Sequence, residues 1–591
     1  MEANHSITGD EAQGLSILNK IGIGVFVSGI IGIIELISIV ALDKKIYSVK
    51  KVDGYEEYIF VSFGLMLLGI FLFSFKRQQR TLFTNYLKFS SKIQRAGMII
   101  GALGFALIAL AWSGFVFEEV TLFLWISLAL MAVGILTYTY GAYAGHPKGI
   151  KNNHVYQNSL TNRGVLGWIA GVALTLFYVQ LYWFSDSLEA LVRLFDPLSY
   201  LLTGSKSSQW FVYGTLYSFL IFFLGIKFII KYRHNRYQII RTISVIFFQL
   251  VFAYFLPQIL EAFNDSGGYF NKDLKYVWPL NYEMADASRL NAMSESGISG
   301  TFFFFWGIIL FLVVTPILTY YVGKRWYCSW VCGCGGLAET VGDGFRQLSS
   351  KKEAAWKIER WVIHSVMVFV LIMTIGALWP YFYGEDYVIS FLTINGTGFY
   401  AFCVILLALT SIALIFGYRK FKQPWLIFGA VITIIVTLIF TYAWINGSKN
   451  IFYVDSKNLK RIYGFIVGAA FAGVIGVGFY PLLGNRVWCR FGCPMAGYLG
   501  LFQRFKSRFR ITTNGSQCIS CGNCSTYCEQ GIDVRAYAQK GENIIRSSCV
   551  GCGICSAVCP RGVLKLENGP EAGRFDPNPL TLTKDGIQLN T

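Results

Sequence analysis

The chain has 591 residues, of which 54% are hydrophobic, 17% aromatic and only 14% charged. An ordinary soluble domain carries about 25% charged residues, so composition excludes a chain solvated by water over most of its length. The net charge of +18 reads as membrane topology and affinity for anionic lipid, not as nucleic-acid binding, because the basic residues gather in loops between apolar runs.

Apolar runs of about 20 residues, each able to cross a hydrocarbon core of roughly 30 Å, predict twelve spans. They fall near residues 20–42, 57–75, 95–116, 120–144, 163–184, 210–230, 242–262, 301–322, 359–380, 398–418, 424–445 and 462–483. The first run follows Glu2, Asp10 and Glu11 instead of a basic stretch, so it is expected to stay as an anchor. Glu35 lies within it. An ionisable group at that depth is a candidate proton acceptor for a quinol, set against a protonated carboxyl at a helix contact. Lys76, Arg77, Arg80, Lys88, Lys92 and Arg95 share a side with Lys231, Arg233, Arg236, Arg241, Lys324, Arg325, Arg419, Lys420 and Lys422. The positive-inside bias makes that side cytoplasmic and puts both termini there, in a bacterial inner membrane, against Lys44, Lys45, Lys50 and Lys51 opposite. His364, near the cytoplasmic end of span nine, is a candidate for quinone contact, with a hydrogen-bonded packing role as its alternative. His5, His146, His154, His234 and His364 give no spaced pair within the spans, so no haem is expected.

Thirteen of the fourteen cysteines lie on the expected cytoplasmic side, where thiols stay reduced and metal ligation is favoured over disulfides. Cys403 alone falls inside a span and reads as a small buried hydrophobe. Span eight runs into Gly323, Arg325, Cys328, Cys332 and Cys334, and span twelve into Gly484, Arg486, Cys489, Cys493 and Pro494. The shared pattern G-x-R-x-x-C-x3-C recurs at a constant offset of 161 residues. Residues 301–345 and 462–506 therefore read as two copies of one unit, each a helix ending in a cysteine pair at the cytoplasmic face, and pseudo-twofold packing would bring the pairs together. Cys328, Cys332, Cys489 and Cys493 are candidates for a third metal centre or for redox-cycling thiols, with structural packing as the alternative. Cys334 either replaces one of the four or is a spare thiol.

The segment Tyr498 to Ile511 interleaves Phe502, Phe505 and Phe509 with Arg504, Lys506, Arg508 and Arg510, which predicts an interfacial helix leading to a soluble domain. That domain holds Cys518, Cys521, Cys524 and Cys528, then Cys549, Cys552, Cys555, Cys559 and Pro560, each set spaced C-x2-C-x2-C-x3-C. The second set follows the first by 31 residues throughout, as do Gly553 after Gly522 and Gly562 after Gly531. This is the bacterial two-cluster ferredoxin pattern, in which the fourth cysteine of each run serves the other cluster. One [4Fe-4S] cluster is thus assigned to Cys518, Cys521, Cys524 and Cys559, and a second to Cys549, Cys552, Cys555 and Cys528. The fourth cysteine is expected to start a helix pointing back toward the other cubane. Zinc is the competing metal for C-x2-C pairs. Glu529 stands where Pro560 stands in the second run. The tail after Glu567 reads as extended.

The fold class expected is a membrane all-α protein with about twelve transmembrane helices and an internally duplicated core, followed by a small α+β ferredoxin domain. The divisions fall at 1–150 for a four-helix membrane region, 151–510 for the core, 511–566 for the ferredoxin domain and 567–591 for the tail. The C-x3-C-P motif after a membrane helix, its second copy, and the ferredoxin domain behind them resemble the NosR/NapH-type membrane iron-sulfur proteins, over about residues 160–565. The resemblance implies electron transfer between the quinone pool and a partner respiratory redox protein. The first copy departs from it, with Gly333 in place of proline and Cys334 added, and the four spans before residue 150 lie outside it. The related CcoG-type proteins suggest a copper or iron reductase instead. A redox-sensing assembly or transport factor is the third reading.

Overall fold

The computed structural model describes residues 17–42, 55–74, 91–145, 159–262, 298–383, 387–389, 392–422, 424–448, 464–514, 517–569, 580–583 and 586–589. Among them, ten helices are long and apolar enough to cross a membrane, and Val61–Leu72 and Gly464–Ile475 are shorter apolar helices at the places of spans two and twelve. The loop between spans seven and eight and the polar stretch before the first helix lie outside the described residues.

Local chemistry starts several of these helices. Ser91 caps Lys92–Trp112 by accepting from Gln94 N at 3.0 Å, Ser208 caps Gln209–Lys231 through Phe211 N at 3.2 Å, and Asn395 caps Gly396–Phe421 through Gly398 N at 2.7 Å. Lys92–Trp112 and Val120–Tyr143 pack through glycines: a Cβ on Gly104 would meet Met131 N and Ser127 O at 2.7 Å, so only glycine permits that approach. Three membrane segments widen into π-helix at Phe248–Phe255, Leu310–Val314 and Gly464–Ile475. Such i→i+5 widening is frequent at functional sites in proteins generally. Cys403 is fully buried among Ile375, Trp379, Phe399, Leu407 and Phe440, the packing role its sequence suggested.

The segment after Pro494 differs from its expectation. A helix runs only over Pro494–Lys506, and Phe509–Thr513 is a strand paired antiparallel with Leu564–Asn568, Ile511 opposite Leu566. Every residue of that strand is buried, because it closes the ferredoxin core instead of lying on a lipid surface. Ile532, Val534, Ile544, Ile554, Val558 and Val563 fill that core, and Phe228 and Tyr232 from the end of Gln209–Lys231 enter the same cluster. The soluble domain and the membrane region thus share one apolar core. The tail carries a hairpin of Leu580–Thr583 with Gly586–Leu589.

Candidate metal centres

The 31-residue repeat holds in the backbone. Gly522 and Gly553 take φ of 77° and 74°, Gly531 and Gly562 take 66° and 63°, left-handed conformations that favour glycine. Each of the first pair opens a one-turn helix, Asn523–Thr526 or Ile554–Ala557, which carries the third cysteine of its run, while the fourth follows the helix end. The third cysteine, not the fourth, is therefore the helical one.

Two cavities lie between the runs. One is lined by Cys518, Cys521, Cys524 and Cys559, and the other by Cys528, Cys549, Cys552 and Cys555. Chain reversal between the two one-turn helices thus groups the cysteines in the crossed arrangement. Burial pushes the thiols of Cys524 and Cys549 up to about 11, so without a cation they stay protonated at neutral pH. Four cysteines lining one cavity fit a [4Fe-4S] cluster, whose iron stabilises the thiolate form.

The two quartets differ in position. The outer one reaches the surface, with Cys521 exposed and Ile519 54% exposed. The inner one is fastened to the membrane helices through the carbonyls of its own loop. Lys324 Nζ donates to Ser547 O at 2.5 Å, Gln503 Nε2 to Cys549 O at 2.6 Å, Ser329 Oγ to Val550 O at 2.7 Å, Tyr237 OH to Gly551 O and Gln238 Nε2 to Cys552 O, both at 2.8 Å.

Behind the inner quartet lies a buried ionic network that the sequence did not announce. Glu529 accepts from Arg346 Nη1 at 2.5 Å and Arg486 Nε at 3.0 Å, and Arg486 also reaches Glu339 at 2.7 Å. Arg241 pairs with Glu339, and Asp343 binds Lys231 at 2.6 Å and Arg346 at 2.8 Å. Burial pushes the Glu529 carboxyl up, but Arg486, Arg346 and Arg241 outweigh it and hold the group down at about 2. Burial likewise pushes Asp343 up, and Lys231 and Arg346 hold it well below the usual carboxylate range. Oxygens of Glu339 and Glu529 and the Cys552 sulfur lie within 4.8 Å of one another. The network therefore abuts the inner cavity directly. The one signal in the sequence was Glu529 standing where the ferredoxin pattern has proline.

The membrane thiols are brought together, though deeper than the helix ends. Gly323 and Gly484 take φ of 75° and 102°, and after each the chain turns back between the helices. Gln249 Nε2 donates to Val331 O at 2.8 Å, and Gln249 lies about 20 Å along the helix that starts at Arg236, at roughly 1.5 Å per residue. In the second hairpin, a Cβ on Gly492 would sit 3.2 Å from Phe471, in the middle of Gly464–Ile475. Tyr498 stacks on Phe311 at 4.4 Å, in the middle of Phe305–Val322, and donates to its carbonyl at 3.0 Å. Cys332 and Cys493 thus stand near the tips of two re-entrant hairpins sunk among the helices, where irregular backbone is tolerated because protein surrounds it. Arg486 Nη1 joins the two units, donating to Cys328 O at 3.2 Å and to Cys489 Sγ at 3.6 Å. Cys328 and Cys493 pack with Met495, Leu499, Val550 and Cys552, so the membrane thiols adjoin the inner quartet. Cys334, two residues beyond Cys332, is exposed.

Of the candidate proton and quinone groups, Glu35 is not gathered into this region. Glu35 is exposed on the outer face of Ile17–Leu42. The Nδ1 of His364 lies 2.5 Å from Arg360 O of its own helix.

A family model described as a 4Fe-4S dicluster domain matches residues 510–560, and a second, a 4Fe-4S binding domain, matches twice, over residues 303–353 and 466–512. No curated protein and no solved structure matches the chain. The second match falls on both cysteine hairpins, so both regions of converging thiols are similar to iron-sulfur domains. With ten apolar helices beside them, the chain is an iron-sulfur electron-transfer protein of the membrane.

Proposed function

We propose that the chain carries electrons between the quinone pool and a partner redox protein, with its termini and ferredoxin domain in the cytoplasm of a bacterial inner membrane, as in the NosR/NapH-type proteins it resembles. The observation that carries this reading is the continuous line of thiol sites. The outer quartet opens to the surface, the inner quartet is pinned to the helix ends, and Cys328, Cys493 and Cys552 border one buried cluster with Met495, Leu499 and Val550. Clusters bound at the quartets supply one-electron transfer without proton chemistry. The protein's own part is to hold the inner quartet in place through Lys324, Ser329, Gln503 and Tyr237, and to keep Cys328 and Cys489 buried among the helices.

The four hairpin thiols act in this reading as one centre. Cys332→Ser and Cys493→Ser should each abolish the same quinol-linked step in reconstituted protein, and the double variant should be no worse than either, since groups acting as a unit are not additive. Full turnover in either single variant would remove the membrane centre from the path. Cys334 favours a second reading, reduction of copper or iron ions, because it adds an exposed thiol beside the pairs. Cluster reoxidation in liposomes that needs added metal ion and ignores quinone analogues would select that reading.

Topology is tested separately. A membrane-impermeant thiol reagent applied to intact spheroplasts should leave Cys518 and Cys521 unlabelled, even after the clusters are removed, and should label both in inverted vesicles. Labelling in the intact spheroplasts would reverse the assigned orientation.

A further inference from the structure

Gln530 is a neighbour of the inner quartet with no place in the electron path described so far. It is 3% exposed and lines the same cavity as Cys528, Cys549, Cys552 and Cys555. Neither end of its side-chain amide has a hydrogen-bond partner among the described residues. Native proteins seldom bury an unpaired amide, because each unmet group loses its hydration without compensation. The ionic network does not call on it either: the oxygens of adjacent Glu529 are already taken by Arg346, Arg486 and Asn485.

Gln530 shares that cavity with the four cysteines of the inner quartet. Thiolates and cluster sulfides only accept, so a cluster in this cavity would offer an acceptor to the N–H end of the amide, the nitrogen and oxygen of such a group being assigned by its surroundings. The residue at the same offset beside the outer quartet is Arg561, which is exposed, so any effect of its charge on that centre is weakened by water. The inner quartet alone has a desolvated amide at this place in its turn.

We propose that Gln530 sets the reduction potential of the inner centre: its side-chain N–H donates to a sulfur of the cluster held by Cys528, Cys549, Cys552 and Cys555. Reduction adds one electron and one negative charge, so a donor to sulfur stabilises the reduced form and raises the potential. This role rests on the reading of the quartet as a cluster site.

The test is a redox titration of the purified, iron-loaded full chain followed by low-temperature electron paramagnetic resonance. In Gln530→Leu, one of the two ferredoxin centres should become harder to reduce by about tenfold, which is ~59 mV for one electron, while the other centre stays unchanged. A second readout compares the unmutated protein with Gln530→Glu, both with nitrogen-15 in their glutamine side-chain amides, where pulsed resonance should detect a nitrogen coupled to one reduced centre in the first and not in the second. That readout decides the matter if Gln530→Leu loses iron. An unchanged potential in fully loaded Gln530→Leu, an equal shift at both centres, or no coupled glutamine nitrogen would overturn the proposal. Wild-type protein with only one quartet's iron and sulfide would overturn the underlying cluster reading instead.

Discussion

Glu529→Leu is expected to loosen the ferredoxin domain from the membrane helices while the domain keeps its iron. Arg346 and Arg486 have side chains with 0% exposure, and Glu529 neutralises both from the ferredoxin side of the contact. Its removal leaves Glu339 and Asp343 against Lys231, Arg241, Arg346 and Arg486. Breaking a buried ion pair by deleting one partner costs about 3–5 kcal/mol, because the other charge stays desolvated and uncompensated. Glu529→Pro, which restores the usual ferredoxin residue, should be as damaging, since proline cannot accept from either arginine. Limited proteolysis of the junction around Ser507 should be accelerated in both variants, and thermal unfolding of the domain should begin earlier. An unchanged cleavage pattern and melting temperature would mean that the network contributes nothing to docking.

Replacing Cys528 should remove the centre of Cys549, Cys552 and Cys555 and spare the one beside it in sequence. The crossed lining of the two cavities requires this: Cys528 faces the second run, and Cys559 faces the first. A loaded domain with two clusters holds about eight irons. Cys528→Ser and Cys559→Ser should each lose about half of that, with opposite resonance signals surviving. The double variant should retain neither signal. If Cys528→Ser and Cys518→Ser erase the same signal, ligation follows sequence order and the crossed assignment is wrong. Stoichiometric zinc with no reducible signal in wild-type protein would exclude clusters at both quartets.

The chemistry was legible in the sequence because it depends on spacing along the chain. A cysteine run of fixed period can close around a metal in few ways, and the turns that let it close demand glycine at set offsets, so Gly522, Gly531, Gly553 and Gly562 were readable with the thiols. The apolar spans were readable for a similar reason, since the thickness of a hydrocarbon core fixes the length of a helix that crosses it. Helix-like interleaving misled the reading of Phe509–Thr513, whose conformation is decided by a partner strand more than fifty residues away. The re-entrant course of the cysteine hairpins was hidden too, because their limbs are short and their depth is set by contacts with Gln249, Phe311 and Phe471. Nor does spacing show why Glu529 replaces proline. Its value lies in Arg346 and Arg486, residues far apart in the chain that only the packing of helix ends against the ferredoxin domain brings to one carboxylate. Short-range geometry thus determined which residues can hold metal, and long-range packing alone decided where those sites stand relative to the apolar helices.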